Sequence, residues 1–172
     1  MLMYDKLNIK TTGELYLLRQ GWFSSEYKLT DNVYNYGKIS YNAFLRRKAT
    51  VTTASCSWTF KREKLFSRTI IITSENDSFI GKATREWFSR TSLLTLQTGF
   101  QAAFFKPSIW SREYVWQSDG YGKIMHFVSS RLNLKDTIYI DQSMAPPAVI
   151  PLLILLGGHL TILRRRRRTA HS

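Results

Sequence analysis

Three short segments of the chain each combine an aromatic residue, a serine and an arginine. They are KLFSRTI at residues 64–70, EWFSRTS at 86–92 and SIWSREY at 108–114. An arginine guanidinium can bind a phosphate group through two parallel hydrogen bonds, and aromatic rings favour the headgroup boundary of a bilayer. The same residue types also suit single-stranded nucleic acid, whose bases stack on aromatic rings. The chemistry that these repeated segments predict is therefore recognition of an anion.

Residues typical of catalysis or metal binding form no recognisable pattern in this sequence. The three histidines, His126, His159 and His171, lack the spacing of metal ligands, and Cys56 has no histidine near it in sequence. We therefore predict no catalytic residue, no metal site and no cofactor, and we expect a protein that is not an enzyme. His159 lies in an apolar segment, where we expect a hydrogen-bonded core residue.

The repeated segments follow a nearly constant step along the chain. Phe66, Phe88 and Trp110 are spaced 22 residues apart, and further steps of 22 and 21 residues toward the N-terminus reach Phe44 and Phe23. A repeat of this length is too short for the common helical hairpins but suits two strands with two turns. Because the intervening segments are rich in β-branched and aromatic residues, the step predicts consecutive β-hairpins.

Six hairpins account for most of the chain. A meander of twelve strands has two exposed edges unless its first and last strands pair. The predicted fold is therefore mainly β: a twelve-stranded antiparallel barrel of six hairpin repeats, closed around a C-terminal apolar helix. The predicted strand pairs are 15–19 with 26–30, 36–43 with 48–53, 57–62 with 68–73, 79–86 with 91–97, 100–105 with 113–117, and 122–128 with 135–140.

The apolar segment at 148–163 predicts the central helix. Twelve strands enclose more space than their own side chains can fill, and a segment that is apolar on all sides suits a buried helix. We predict a single domain at 13–163, with the helix at about 148–163 and a basic flexible tail at 164–172. A membrane-spanning tail anchor at 145–163 is the alternative, since an apolar stretch of this length followed by arginines also suits a bilayer. The central-helix prediction buries Leu152, Leu153, Leu155, Leu156, Leu160 and Leu163 inside the barrel.

This predicted architecture resembles that of the tubby C-terminal domain superfamily, which includes the phospholipid scramblases and the LURP-one-related proteins. The likeness covers about residues 13–163 and consists of six hairpins followed by the segment PLLILLGGHL. The resemblance implies binding to a membrane surface or to phosphoinositides, as in tubby proteins. It also implies lipid movement or nucleic-acid contact, as in scramblases.

Basic residues concentrate at the end of the predicted barrel where the repeated segments lie. The chain carries a formal net charge of +13, to which the run at 164–168 contributes five arginines. A surplus of this size favours anionic partners. The candidate anion-binding residues are Arg46, Arg47, Lys48, Arg68, Arg90, Arg112 and Arg131, and the candidate membrane-interface aromatics are Trp22, Phe23 and Trp110.

Two interpretations of the repeated residues stay open. In the structural one, the aromatic residue closes the barrel end, the serine caps the turn and the arginine stacks over the ring. In the functional one, the same residues form a rim that faces lipid. We expect a cytoplasmic monomer, peripheral on an anionic phospholipid surface, because a lone cysteine suits a reducing compartment and the N-terminus lacks a secretory pattern. A nucleic-acid partner and a tail-anchored membrane protein with a cytosolic β domain are the alternatives.

Overall fold

The chain forms twelve antiparallel strands and one long C-terminal helix in the computed structural model, which describes residues 4–21, 24–42, 48–130, 134–141 and 144–169. Each strand lies within two residues of its predicted position, because the alternation of apolar and polar residues and the turn residues mark its ends. The strands are β1 (Glu14–Arg19), β2 (Glu26–Thr30), β3 (Asn35–Tyr41), β4 (Lys48–Thr53), β5 (Ser57–Arg62), β6 (Thr69–Ser74), β7 (Phe79–Arg85), β8 (Ser92–Leu96), β9 (Gln101–Phe105), β10 (Glu113–Ser118), β11 (Gly122–Ser129) and β12 (Lys135–Ile140).

The strands close into a barrel in which each strand pairs with its neighbours in the chain. The last strand pairs with the first, with Leu15 opposite Ile138 and Leu17 opposite Asp136. Every strand is therefore hydrogen-bonded on both sides, which removes the exposed edges of an open meander. The predicted fold class, a closed twelve-stranded antiparallel barrel with a C-terminal apolar helix, is confirmed.

A helix, α1 (Ile150–Thr169), fills the interior of the barrel. It follows a single 3-10 turn at Pro147–Val149. Alternate residues of the strands point inward and pack around it, and Trp116 of β10 donates a hydrogen bond from Nε1 to the carbonyl oxygen of Leu153 over 2.9 Å. The six leucines predicted to be buried do lie in the core, although Leu163 at the upper end is only partly buried.

The bounds of the helix correct one prediction. The helix continues six residues past its predicted end at 163, through residues that the sequence analysis assigns to a flexible tail. Arginine is a good helix former, and the side chains of Arg164, Arg165 and Arg166 contact the barrel wall. By length and composition the segment 147–167 could also cross a membrane, whereas in the barrel most of its apolar side chains are enclosed.

His159 lies on the enclosed part of α1 and has the predicted role of a hydrogen-bonded core residue. Its Nδ1 is 2.7 Å from the hydroxyl of Tyr41, and its ring stacks on the Tyr41 ring and contacts Phe60. Burial and the nearby charge of Arg166 lower the pKa of His159 to about 3. The imidazole is therefore neutral in the folded protein at physiological pH.

Candidate anion-binding site at the barrel mouth

The end of the barrel at which segments 63–68, 86–91 and 106–112 connect the strands is also the end at which α1 emerges. The guanidinium of Arg164 donates from Nη2 to the carbonyl oxygen of Arg90 over 2.7 Å, which joins the last turns of the helix to the β7–β8 connection. We call this end the barrel mouth. The helix therefore runs along the barrel axis toward the repeated segments.

The serine of each repeated segment caps its turn, as the structural interpretation predicts. The hydroxyls of Ser67, Ser89 and Ser111 accept hydrogen bonds from the backbone N–H two residues later, over 3.0, 3.0 and 2.9 Å. Ser24 makes the same contact in the first hairpin over 3.0 Å. These hydroxyls accept backbone hydrogen bonds where the second strand of each hairpin begins. The recurring serine therefore stabilises the hairpin itself.

The three described aromatic residues of the repeat do not close the barrel, and for them the structural interpretation is wrong. Phe66 is 90% exposed, Trp110 is 88% exposed and Phe88 is fully exposed, and the neighbouring Trp87 is also exposed. They occupy the outermost positions of the hairpin connections, beyond the reach of the core. Each ring is therefore left on the surface around the barrel mouth.

The arginines of the repeat are exposed, and one of them stacks on a ring of a neighbouring hairpin. The guanidinium of Arg68 lies 4.1 Å from the ring centroid of Trp87, rather than over Phe66 of its own segment. Arg90 and Arg112 are exposed, and their backbone carbonyls accept hydrogen bonds within the mouth. Such cation–π contacts contribute about 0.5–1 kcal/mol at exposed positions.

The other predicted site residues divide into two groups. Lys48 lies on the outer wall, opposite Lys61 in the β4–β5 ladder, because its neighbour Ala49 points into the core. It is therefore outside the mouth, contrary to its place in the predicted ring. The predicted residues that lie outside the described part of the structure are Trp22, Phe23, Arg46, Arg47 and Arg131.

Arginines of α1, rather than aromatic residues, occupy the centre of the mouth. Arg164 lies beside the rings of Phe104 and Tyr114, at 5.2 and 5.0 Å from their centroids. On the next faces of the helix, Arg165 forms an ion pair with the buried Asp136, and Arg166 lies 4.1 Å above the ring of Tyr41. Burial raises the pKa of Asp136 above the usual carboxyl value, and the charge of Arg165 opposes that shift.

Arginines of the helix and of the barrel wall line one pocket, which lies between α1 and strands β5 to β8. We call it the arginine pocket and define it by the five arginines that line it, Arg62, Arg68, Arg85, Arg164 and Arg167. The helix supplies a stripe at positions 160, 163, 164 and 167, one face of a helix, with two leucines below two arginines. Ser67 and Ser92 line the sides, and Ile70 and Ala83 complete an apolar floor.

Carboxylates do not balance the charge of the arginine pocket. Within the described residues, none of the five lining arginines forms an ion pair. The nearby acids Glu63 and Glu86 accept hydrogen bonds from the turn serines instead, over 3.3 and 2.8 Å. Burial, together with the charges of neighbouring arginines, lowers the pKa of Arg85 and that of Arg167 below the usual arginine value. The arrangement is thus suited to receive negative charge.

Most arginines of this pocket are not among the residues predicted to bind an anion; only Arg68 is. Arg62 and Arg85 are the last residues of β5 and β7, and both have the same strand parity as the inward-pointing residues Phe60 and Ala83. Counting by twos from these apolar residues places both arginines on the inner face. No such pattern identifies the arginines of the helix as pocket residues. The arginine run by itself does not show that this segment is helical or that it lies inside the barrel.

Comparisons with known proteins assign neither a family nor a function to the chain, so a functional proposal depends on the geometry of the site. No family model matches the chain, and neither does any curated protein or solved structure. Among the residues that the structure describes, no three histidine, cysteine, aspartate or glutamate side chains are grouped so that they could hold a metal ion.

Proposed function

We propose that this protein is a non-catalytic binding protein that docks on an anionic membrane surface through its barrel mouth. The observation that carries the proposal is the coincidence, at one end of the barrel, of exposed aromatic rings with arginines that lack acidic partners. Aromatic rings are stable at the headgroup boundary, and each basic residue near an anionic leaflet adds about 1 kcal/mol. The rings and the arginines contribute together only if both face the membrane at the same time. Their location at one end of the barrel permits this.

The backbone of one tip supports a binding role. Phe88 has a φ of +58°, a left-handed conformation that is uncommon for a residue with a side chain. This conformation projects the ring into solvent, where it gains no packing energy to offset the cost of about 1 kcal/mol. Backbone strain of this kind concentrates at binding sites, where a ligand or a surface supplies the compensating contacts.

The tail-anchored alternative would require α1 to leave the barrel. Leu153, Ile154, Leu155 and Leu156 are fully enclosed by the strands, so withdrawal would expose them together with the inner faces of the surrounding strands. Each large apolar side chain that loses its burial costs about 1.5–3 kcal/mol. The loss favours docking of the closed barrel over insertion of its helix. Removal of residues 145–172 tests the alternative, which requires a stable, soluble barrel without the helix.

Co-sedimentation with vesicles tests the docking proposal. The parent protein is expected to bind vesicles that contain phosphatidylglycerol more tightly as the anionic fraction rises, and less tightly as salt is added. Replacing Phe66 and Trp110 by serine should lower the partition coefficient about tenfold, because half-burial of two large rings contributes about 1.5 kcal/mol or more. The matched control is Tyr34→Ser, which removes an exposed aromatic residue at the opposite end of the barrel.

Neutral substitution of the exposed arginines tests the charge contribution. The triple variant Arg68→Gln, Arg90→Gln and Arg112→Gln should keep the fold and lose up to about 3 kcal/mol of vesicle binding at low salt. Equal binding of parent, aromatic and arginine variants would refute the proposal. Strong, salt-sensitive retention of single-stranded DNA without vesicle binding would support the nucleic-acid alternative instead.

A further inference from the structure

The end of the barrel opposite the mouth carries charge of the opposite sign. We call it the barrel base; it consists of the described residues of the connections 31–34, 54–56, 75–78, 97–100 and 119–121, and of the segment 141–149 that leads into α1. The base contains five acidic residues and no basic residue, and these acids are Asp31, Glu75, Asp77, Asp119 and Asp141. The N-terminal segment 4–13 also reaches the base, where Asp5 is hydrogen-bonded to Asn35, and it adds one acid and two lysines. The base is therefore acidic overall.

Three acids of the base are not neutralised by the protein itself. Glu75, Asp77 and Asp119 lie on exposed turns, and across the part of the chain that the structure describes they form no ion pair. By contrast, Asp31 accepts hydrogen bonds within its own hairpin, and Asp141 lies in a network of charged residues on the outer wall. The mouth has unpaired arginines, as described above, so each end carries charge of one sign that a partner can neutralise.

Both ends also expose apolar side chains. At the base these include Val33, Tyr34 and Met144, and at the mouth they include Phe66 and Trp110. A stable interface buries apolar area at its centre in addition to matching opposite charges. A contact between a base and a mouth meets both requirements. A contact between two mouths, or between two bases, would bring like charges together.

The size of the two ends fits a protein–protein contact. Twelve strands spaced by about 4.8 Å and tilted by about 40° give a barrel circumference of about 75 Å. With its side chains, the end of such a barrel covers about 800 Å², which is the area that each partner buries in an interface of standard size. One end of the barrel is therefore large enough to bind a second molecule without a contribution from the outer wall.

We propose that the mouth of one molecule binds the base of a second copy of this chain. The contact is heterologous because it joins two different surfaces, so every pair leaves one mouth and one base free for further molecules. The expected assembly is a column of barrels stacked along their axes, which grows as the protein concentration rises. At low concentration the protein is the monomer expected from the sequence.

This contact involves the same mouth that we propose to dock on a membrane, and the two roles are compatible in one geometry. A molecule that docks through its mouth presents its base to the solvent, where the mouth of a second molecule can bind. Only the first molecule of a column then contacts the membrane. The inference goes beyond the proposed docking function and does not rest on it, because the charges of the two ends are complementary in the absence of lipid.

Sedimentation velocity and static light scattering of the full chain test the contact directly. At low salt the average mass of the parent protein should rise with concentration, and added sodium chloride should weaken this association because exposed charges are screened. The measurement requires no variant. A parent protein that stays monomeric at low salt, or that associates more strongly as salt is added, would overturn the proposal.

A neutral variant of the base locates the contact. This base variant replaces the three unpaired acids: Glu75→Gln, Asp77→Asn and Asp119→Asn. Position 77 has a φ of +57°, a conformation that asparagine adopts readily, so the turn should keep its shape. The base variant should associate at least about tenfold more weakly than the parent, because three exposed ion pairs are lost.

A matched control distinguishes the position of the charges from their number. The control variant makes the same change of net charge at the mouth: Glu63→Gln, Glu86→Gln and Glu113→Gln. Since these acids lie on the basic partner surface, their neutralisation should leave the association unchanged or strengthen it. Equal weakening in the base variant and in the control variant would refute a contact at the base.

Mixing two variants tests the head-to-tail geometry. The mouth variant replaces Arg68, Arg90 and Arg112 by glutamine and retains an intact base, whereas the base variant retains an intact mouth. At a concentration at which the parent forms columns, each variant alone should be monomeric, and the equimolar mixture should form dimers and no larger species. A mixture that remains monomeric would overturn the heterologous contact.

Vesicles that contain phosphatidylglycerol separate this inference from the docking function. The base variant should saturate at one layer of docked protein, whereas the parent should continue to accumulate as its concentration rises, since docked molecules present free bases. Equal saturation of the two proteins would count against stacking. Association in solution without vesicle binding would refute the docking function alone, and vesicle binding by a parent that never associates would refute the head-to-tail contact alone.

Discussion

The packing of α1 against the barrel wall can be tested at a single atom, the Cβ that alanine would add at Gly157. That atom would lie 2.5 Å from Cζ of Phe127 and 2.7 Å from Nε1 of Trp116. Both rings belong to fully buried side chains, and the Trp116 nitrogen holds the carbonyl of Leu153. The substitution therefore forces two aromatic rings and one buried hydrogen bond to shift.

The expected loss of stability follows from three terms. Overpacking of a closed core costs about 1–3 kcal/mol, and loss of the Trp116 hydrogen bond costs about 1 kcal/mol. Against these, alanine is a better helix former than glycine by about 1 kcal/mol. The free energy of unfolding of Gly157→Ala should therefore fall by about 1–3 kcal/mol, which lowers Tm by about 2–4 °C for each kcal/mol in a domain of this size.

The adjacent glycine supplies the matched control. At Gly158 the new Cβ would approach only Cδ2 of Leu17 closely, at 2.6 Å, and this atom is the end of a rotatable side chain. Gly158→Ala should therefore change stability by less than about 1 kcal/mol, since the helix-propensity gain offsets the small rearrangement. Urea denaturation of the two variants measures the difference. Equal stabilities would refute the argument that Phe127 and Trp116 confine the helix at this position.

Four further predictions follow from buried and capping groups. Leu155→Arg places a charge in the enclosed core and should cost about 3–5 kcal/mol; a parent-like melting curve in detergent-free buffer would contradict the central position of the helix. Asp136→Ala removes the carboxylate from Arg165 and should cost about 3 kcal/mol, part of which the double variant with Arg165→Ala regains. Ser89→Ala should cost about 1 kcal/mol or less in thermal unfolding, because one turn loses its cap. His159 has a folded pKa of about 3, so stability is fully present above about pH 6.5 and falls below it by up to about 1.4 kcal/mol per pH unit, as the unfolded chain takes up the proton. Urea titrations at pH 7 and pH 5 should show that this slope is smaller in His159→Gln.

Much of the barrel was predictable because strands and turns are encoded locally. The period of two places Phe60 and Ala83 inward, and the turn serines mark where each descending strand begins, so both strand bounds and hairpin pairing follow from short stretches of sequence. The constant 22-residue step extends this local information to the whole meander. The same parity also distinguishes Lys48, which faces outward, from Arg62, which faces inward.

The amino-acid sequence by itself thus determined the hairpins, the closed barrel and the apolar helix that fills it. Only the tertiary structure decided how the arginines are shared between ion pairs, ring contacts and the arginine pocket. Arg85 and Arg164 lie far apart in the chain, and they meet because the helix height and rotation inside the barrel set which strand each helix residue faces. Those two quantities depend on how Trp116, Phe127 and Leu17 pack around Gly157 and Gly158, a property of many side chains at once. No local pattern encodes such packing, so the position of the charges around the mouth had to come from the structure.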